Sequence, residues 1–270
     1  MQSNNWAIVT GASSGIGAAI LRRIASKERN LNLLGVGRNL ARLKDVQQSI
    51  IDSSNVHIVS ADLSTPEGIA AVASALPPKA CVKYLVHNAA LFAKIAPLIE
   101  MDNKQFRDAI SINLEAPLFL TKTLLPNLKR CATKYMKPRI LHVSSGAAHV
   151  AYDGWGSYCI TKAGLNMMYK VLATELSHEN ILVGSVRPGV VDTPMQVTIR
   201  LFDGPTTHFP AQSKFIDLHS QGKLVSPDTA AAYLHWLLNE INDDEFSREE
   251  WDIRLSKDDS RWKEYLARNS

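Results

Sequence analysis

The sequence predicts an α/β protein built on a doubly wound parallel sheet, a single domain with a lid over its ligand-binding edge. Three observations lead there. Short runs rich in Val, Ile and Leu recur along the chain: WAIVT (6–10), LNLLGV (31–36), VHIVS (56–60), VKYLVH (82–87), RILHVS (139–144) and ILVGSV (181–186). They are uniformly apolar rather than alternating, as strands covered on both faces are. Between them, segments 14–29, 39–52, 66–76, 102–133 and 157–178 carry apolar residues at spacings of three and four, the helical period. Such alternation gives right-handed crossovers with helices on both faces of the sheet, and ligands then bind beyond the C-terminal strand ends.

The pattern changes after the sixth run. Residues 194–225 hold Pro194, Pro205 and Pro210 with scattered Phe202, Phe209 and Phe215, and no clear period. A segment of that length inside a compact domain reads as a substrate-binding lid. A helix follows over 227–239. Trp251, Ile253 and Leu255 then alternate with charged residues, which predicts an edge strand. From Lys257 onward the charge density suggests a solvated tail or short helix.

Composition narrows the function classes. The chain has 270 residues, 46 % hydrophobic and 21 % charged, the balance of a globular protein. Its net charge of +4 is spread without a block of like sign, so no nucleic-acid or membrane partner is expected. No stretch reaches the ~18 apolar residues of a membrane span. Three cysteines, Cys81, Cys131 and Cys159, stand far apart without a CxxC, and the eight histidines show no ligand spacing. Neither a disulfide framework nor a metal site is expected. Residues 6–21 are apolar, but MQSNN supplies no positive n-region, so they read as structure and the setting as cytoplasmic and reducing.

The first strand runs into Thr10-Gly11-Ala12-Ser13-Ser14-Gly15-Ile16-Gly17, followed by a helix. Glycines there permit a tight turn, close approach to a pyrophosphate and close helix–strand packing, while the helix N-terminus offers free N–H groups. An ordinary glycine turn is the plain alternative. The strand–glycine–helix order favours a Rossmann-type nucleotide site. The spacing is GxxxGxG rather than GxGxxG. About 20 residues on, an acid would select NAD and an arginine NADP. Here the second strand ends Gly37-Arg38-Asn39, which points to NADPH/NADP. Asp62-Leu63, after the third strand, are candidates for the adenine edge.

Tyr158 and Lys162 lie four apart at the start of a helix, on one helical face. An ammonium about 4 Å from a phenol, at an effective dielectric of about 20, lowers its pKa by roughly three units before desolvation. The phenol then becomes a working acid/base. Ser145 leaves the fifth strand 13 residues earlier, at the same ligand edge, where its hydroxyl can hold a carbonyl oxygen. Alone, Ser144-Ser145 would read as a cap or turn.

The glycine loop, Asn88-Ala89-Ala90, Asn113, Ser145, Tyr158, Lys162 and Pro188-Gly189 stand in an order and spacing that resembles the short-chain dehydrogenase/reductase family, to about residue 255. The resemblance implies Tyr158 as proton donor to a carbonyl polarised by Ser145. Lys162 would lower the tyrosine pKa and bind the nicotinamide ribose. Asn113 would hold a water linking Lys162 to solvent. Asn88 and Ala89 would contact the cofactor, and Pro188, Gly189, Val191 and Thr193 would line the nicotinamide. It also implies a homodimer or homotetramer paired through helices 102–133 and 157–178. Two positions depart from the pattern: Ala90 replaces a glycine, and Arg187 replaces a small or neutral residue.

Gly154-Trp155-Gly156-Ser157-Tyr158-Cys159 and the run Arg187 to Gln196 are similar to the sepiapterin reductase and benzil reductase branch. That implies an NADPH-dependent carbonyl reductase of aromatic ketones or 1,2-diketones, benzil-like or with a pteridine side-chain carbonyl. Sepiapterin reductases anchor the pterin through a carboxylate, for which Asp252, Asp258 and Asp259 are candidates here. An NADP-dependent alcohol dehydrogenase working oxidatively is the alternative. A non-catalytic dinucleotide-sensing protein is another, though such proteins typically lose the Tyr or Lys. Trp155, Met195 and Phe202 are expected to wall an apolar substrate site, with Gly154 and Gly156 letting the tryptophan loop adjust. Lys214 and Arg200 stand apart in the lid, so aryl ketones are expected to outrank small aliphatic or charged ones.

Overall fold

The structure, a computed structural model, describes residues 4–269. In chain order the elements are β1 (Asn5–Thr10), α1 (Gly15–Lys27), β2 (Asn32–Gly37), α2 (Leu40–Gln48), β3 (Val56–Ser60), α3 (Pro66–Ser74), β4 (Cys81–His87), α4 (Asn103–Ile110), α5 (Ala116–Cys131), β5 (Arg139–Val143), α6 (Gly156–Ser177), β6 (Leu182–Arg187), α7 (Pro194–Arg200), α8 (Gln212–Ser220), α9 (Pro227–Asn239), α10 (Asp243–Phe246), β7 (Trp251–Asp252) and α11 (Ser260–Asn269). Among the described residues the strands form one parallel sheet, in the order β3-β2-β1-β4-β5-β6-β7. Helices cover both faces, so the fold is the doubly wound, Rossmann-type sheet expected. The order reverses between β1 and β4, the crevice where such sheets bind ligands.

The uniformly apolar strand runs are explained by burial on both sides. Ile8, Leu34 and Leu85 pack with Leu120, Leu124 and Tyr169 of α5 and α6. Ala7, Val9 and Val86 pack with α1, α9 and α11 on the other face. Helix starts follow their sequence signals. Asn39, Thr65, Thr193 and Ser226 each cap a helix by accepting a backbone N–H, and the last three precede a proline at the first helical position. At the far end of α9, Arg139 donates to the carbonyls of Leu237, Leu238 and Ile241 and to Asp243, satisfying groups that the helix cannot.

Several expectations are corrected. The segment 194–225 is not structureless: it folds as α7 and α8 around a 3₁₀ turn, Thr206–His208. The final strand is only Trp251–Asp252, because Ile253 already turns inward to pack beneath Gly189. Of the two readings of the charged end, the short helix holds: it is α11, with Trp262 and Tyr265 buried against α9. The long helix 102–133 is interrupted by a π-helical turn, Ser111–Glu115. Against expectation, Cys81 and Cys131 form a disulfide. The first residue of β4 and the last of α5 are brought within 4.8 Å at Cα although 50 residues apart, a proximity that spacing cannot reveal.

A close backbone approach lies beneath the first loop. A Cβ on Gly17 would sit 2.1 Å from the Gly11 carbonyl oxygen and 2.5 Å from Asn88 Nδ2. Gly17→Ala is therefore expected to force α1 away from the loop. Denaturant unfolding should show a loss of about 1–3 kcal/mol, the cost of overpacking, together with weakened dinucleotide binding in titration.

Candidate active site

At the switch point, side chains weld two strand ends together. Thr10 Oγ1 donates to the Val86 carbonyl and accepts the backbone N–H groups of Asn88 and Ala89, each at 3.0 Å. Asn88 Nδ2 donates back to the Thr10 carbonyl at 2.9 Å. Gly11 and Gly15 adopt positive φ, +67° and +52°, which L side chains rarely tolerate. Helix α1 then begins without a side-chain cap at Ser14 and without an acid in its first turn. Its leading N–H groups therefore stay open to an anion, unlike the capped starts of α2, α3, α7 and α9.

This loop lines one end of a cavity of about 1280 Å³. Gly11, Ser13, Ser14, Gly15 and Ile16 face it, but Gly17 does not; its part is the packing described above. Arg38 and Asn39 face it with Arg42, which sequence reading missed although it lies one helical turn beyond Arg38. Leu63 is in the wall and Asp62 is not. The Asp62 carboxylate accepts from the Ser64 N–H and hydroxyl. Asn88, Ala89, Pro188, Gly189, Val191 and Thr193 line the middle of the cavity. A glycine cradle, free helix amides and two arginines without an acid suit the phosphates of a dinucleotide.

Ser145, Tyr158 and Lys162 converge in the same cavity, delivered by the end of β5 and the first turns of α6. The Ser145 hydroxyl lies close enough to the Tyr158 hydroxyl to favour its ionised form. Burial pushes the phenol up to about 12, and Ser145 only partly opposes it. The expected lowering by Lys162 is absent. Lys162 Nζ lies 5.6 Å from the Tyr158 ring centroid and donates to the Val143 carbonyl at 2.8 Å. Burial brings the ammonium itself down to about 8, against a partial restoring pull from Glu250.

Asn113, on the π-helical turn, is buried outside the cavity wall. It accepts from the Leu91 N–H at 2.7 Å and donates to the Leu91 carbonyl and to Thr161 Oγ1. With these bonds made, its side chain clamps the segment after β4 to α6.

Aromatic rings form the far wall. Trp155 stacks on Phe209 at 5.4 Å and Phe215 at 5.1 Å, and meets Phe92 and Tyr158 edge to face. The tryptophan ring is thus packed among its neighbours. Gly154, at φ +76°, lets the backbone pass against the His208 carbonyl, and Gly156 packs on Leu98. Met195 lines the cavity; Phe202 does not, because its ring turns edge-on to Phe209 within the lid. Tyr152, Lys214, Leu218 and Arg254 line this end and were not legible, since three different loops and helices bring them together. Arg187, unusual in sequence, pairs with Glu250 at 3.2 Å and Asp252 at 3.3 Å.

A parallel sheet, a glycine cradle at its switch point and a Ser–Tyr–Lys set in one cavity define a nicotinamide-dependent oxidoreductase of alcohol and carbonyl groups. The family model for short chain dehydrogenases matches residues 5–203, and the chain belongs to that family. It is 31 % identical over 240 residues to the benzil reductase ((S)-benzoin forming) of Bacillus cereus, covering 86 % of this chain and 93 % of that one. Among solved structures it resembles a short chain dehydrogenase/reductase from Saccharomyces cerevisiae (TM-score 0.80, 27 % identity, 92 % and 95 % covered). It also resembles a 3-ketoacyl-(acyl-carrier-protein) reductase from Brucella melitensis complexed with NADH (TM-score 0.76, 26 % identity, 94 % and 98 % covered).

Burying an ammonium has a stability consequence with a definite sign. The folded pKa of Lys162, about 8, lies below its ordinary 10.5, so the folded state binds fewer protons between those values and stability rises with pH there. Lys162→Met removes the buried charge. It should raise unfolding free energy by about 1–3 kcal/mol near neutral pH, shrinking towards pH 10, while abolishing turnover. Thermal melts across that pH range check it.

Proposed function

We propose that the protein is an NADPH-dependent carbonyl reductase of aromatic ketones or 1,2-diketones. The observation that carries this reading is the Tyr158 phenol, beside Ser145, in a cavity continuous from the glycine loop to a wall of aromatic rings. The bound dinucleotide supplies the hydride. Ser145 and Tyr158 hold the carbonyl oxygen from two sides, and Tyr158 gives up its proton as the oxygen gains charge. A phenol pushed up to about 12 stays protonated at neutral pH, as the donor for carbonyl reduction must be. Lys162 holds its positive charge near the donor and orients the ribose, and Asn113 keeps both walls in register.

A flat substrate ring suits Trp155, Phe215 and Met195. Among the described residues no Asp or Glu lines the cavity, which favours a hydrocarbon ring over a pterin. Asp252 is buried between Arg187 and Arg254, Asp259 pairs with Arg261, and Asp258 stands on the surface. Exposed Phe119, Met167 and Val171 on α5 and α6 support pairing of two copies through those helices.

With NADPH and benzil, Tyr158→Phe should lower kcat by at least ~10²-fold while leaving dinucleotide binding within about 1 kcal/mol. Near-normal turnover in that variant overturns the mechanism.

Arg38 and Arg42 carry the choice of cofactor. NADPH is expected to bind at least ~10-fold more tightly than NADH, and Arg38→Asp to reverse that order, by fluorescence titration of both. Equal affinities in the unmodified protein would remove the basis for NADP selection.

A further inference from the structure

Among the described residues the cavity is lined by seven basic side chains (Arg38, Arg42, Lys162, Arg187, Lys214, Lys223 and Arg254) and no acidic one. The first two lie at the glycine-loop end and Lys162 belongs to the reacting centre. Lys214 and Arg254 both line the cavity, as does Tyr152. Lys214 Nζ donates to the Tyr152 hydroxyl at 3.4 Å, and lies 5.6 Å from the Tyr152 ring centroid and 5.8 Å from that of Phe215. Arg254, from the loop after β7, is within electrostatic reach of the same phenol. The two cations come from segments 40 residues apart, so the lid sequence alone shows no basic cluster.

Their charges are not cancelled equally. Arg254 and Arg187 are balanced by Asp252 and Glu250, with Arg254 forming two bonds to Asp252. Lys214 forms no ion pair among the described residues, and neither does Lys223. An unpaired ammonium against two aromatic rings, with a tyrosine hydroxyl at hydrogen-bond distance and a guanidinium in the same cavity wall, is a receptor for an anion. Between this end and Tyr158 stand the rings of Trp155 and Tyr152, 6.1 Å and then 4.8 Å apart between centroids. A substrate that places its carbonyl on Tyr158 and an aryl ring along this wall presents its distal substituent to Lys214.

We propose that the aromatic substrate carries a carboxylate on the side of the ring remote from the reacting carbonyl, received by Lys214 and Arg254 across the Tyr152 hydroxyl. The inference rests on the aryl-ketone reading above and sharpens it. It reverses the expectation from sequence that charged ketones are poor substrates.

The test compares 4-carboxybenzil with its methyl ester, which share the reacting diketone and differ in charge. With NADPH at low ionic strength, the acid should exceed the ester in kcat/KM by at least ~10-fold, mainly through KM. Lys214→Gln should bring that ratio to within about 2-fold of unity, Arg254→Gln should lower it partway, and added salt should compress it in the wild type. Lys214 is exposed, so its variant is expected to fold as the wild type does. If the ester is reduced at least as well as the acid, the anion receptor is refuted while the aryl-ketone reading stands. If the acid is preferred but both variants keep the full ratio, the assignment to Lys214 and Arg254 is refuted. If neither compound is reduced, the aryl-ketone reading falls, and the receptor with it.

Discussion

The contact between the ends of β1 and β4 is the constraint on which the rest depends. A parallel sheet that reverses its winding leaves a gap there, and backbone groups in that gap need partners. Thr10 and Asn88 supply them reciprocally, and Gly11 and Gly17 allow the loop, the helix and the next strand to meet at backbone distance. The consequence is chemical as well as structural. With Asn88 committed to Thr10, and Ser14 not capping α1, the amides at the start of α1 remain the unsatisfied donors in the crevice. Stability and anion binding are thus divided between adjacent residues.

A second division sets the electrostatics around Lys162. The interior behind it disfavours charge: burial lowers His142 to about 3, with Lys162 adding to the effect, and lowers His87 well below its ordinary value. Both imidazoles are neutral at physiological pH, and His87 meets Thr121 Oγ1 at 2.9 Å. Glu250 is the exception. Burial would push its carboxyl up, but hydrogen bonds, including those from His149 and Ser185, outweigh that and hold its pKa below the usual range. An anion kept ionised near a buried ammonium offsets part of the cost of that ammonium, which gives Arg187 a reason for its unusual place: it supports Glu250 from the other side.

The elements legible in the sequence are those whose signal is local. The strands from β1 to β6 and the helices between them are marked by period and length, and the glycine loop, Ser145, Tyr158 and Lys162 by chemistry at fixed spacing. What was not legible depends on folding distant segments together. Cys81 and Cys131 become partners only when β4 and α5 stack. The helices of the lid escaped because their apolar faces are short and bury aromatic rings against Trp155 rather than against the sheet. The π-helical turn leaves no periodic trace, yet it places Asn113 against Leu91 and Thr161.

That lid construction bears on selectivity. A structureless lid would adapt to many substrates, at an entropic cost for each ordering event. Here Trp155, Phe209 and Phe215 are stacked and buried, with Phe92 and Tyr158 edge-on to Trp155, so the wall that a substrate meets is fixed before it arrives. Gly154 and Gly156 serve that rigidity by letting the loop lie directly on its neighbours, the opposite of the freedom a glycine suggests in isolation. A rigid apolar face selects for flatness but distinguishes poorly among flat molecules, since apolar contact is non-directional. Discrimination among aromatic ketones must therefore come from the few polar groups at the edges of that face. At one edge these are Ser145 and Tyr158, which any carbonyl satisfies; at the other they are Tyr152, Lys214 and Arg254, which only some substituents can.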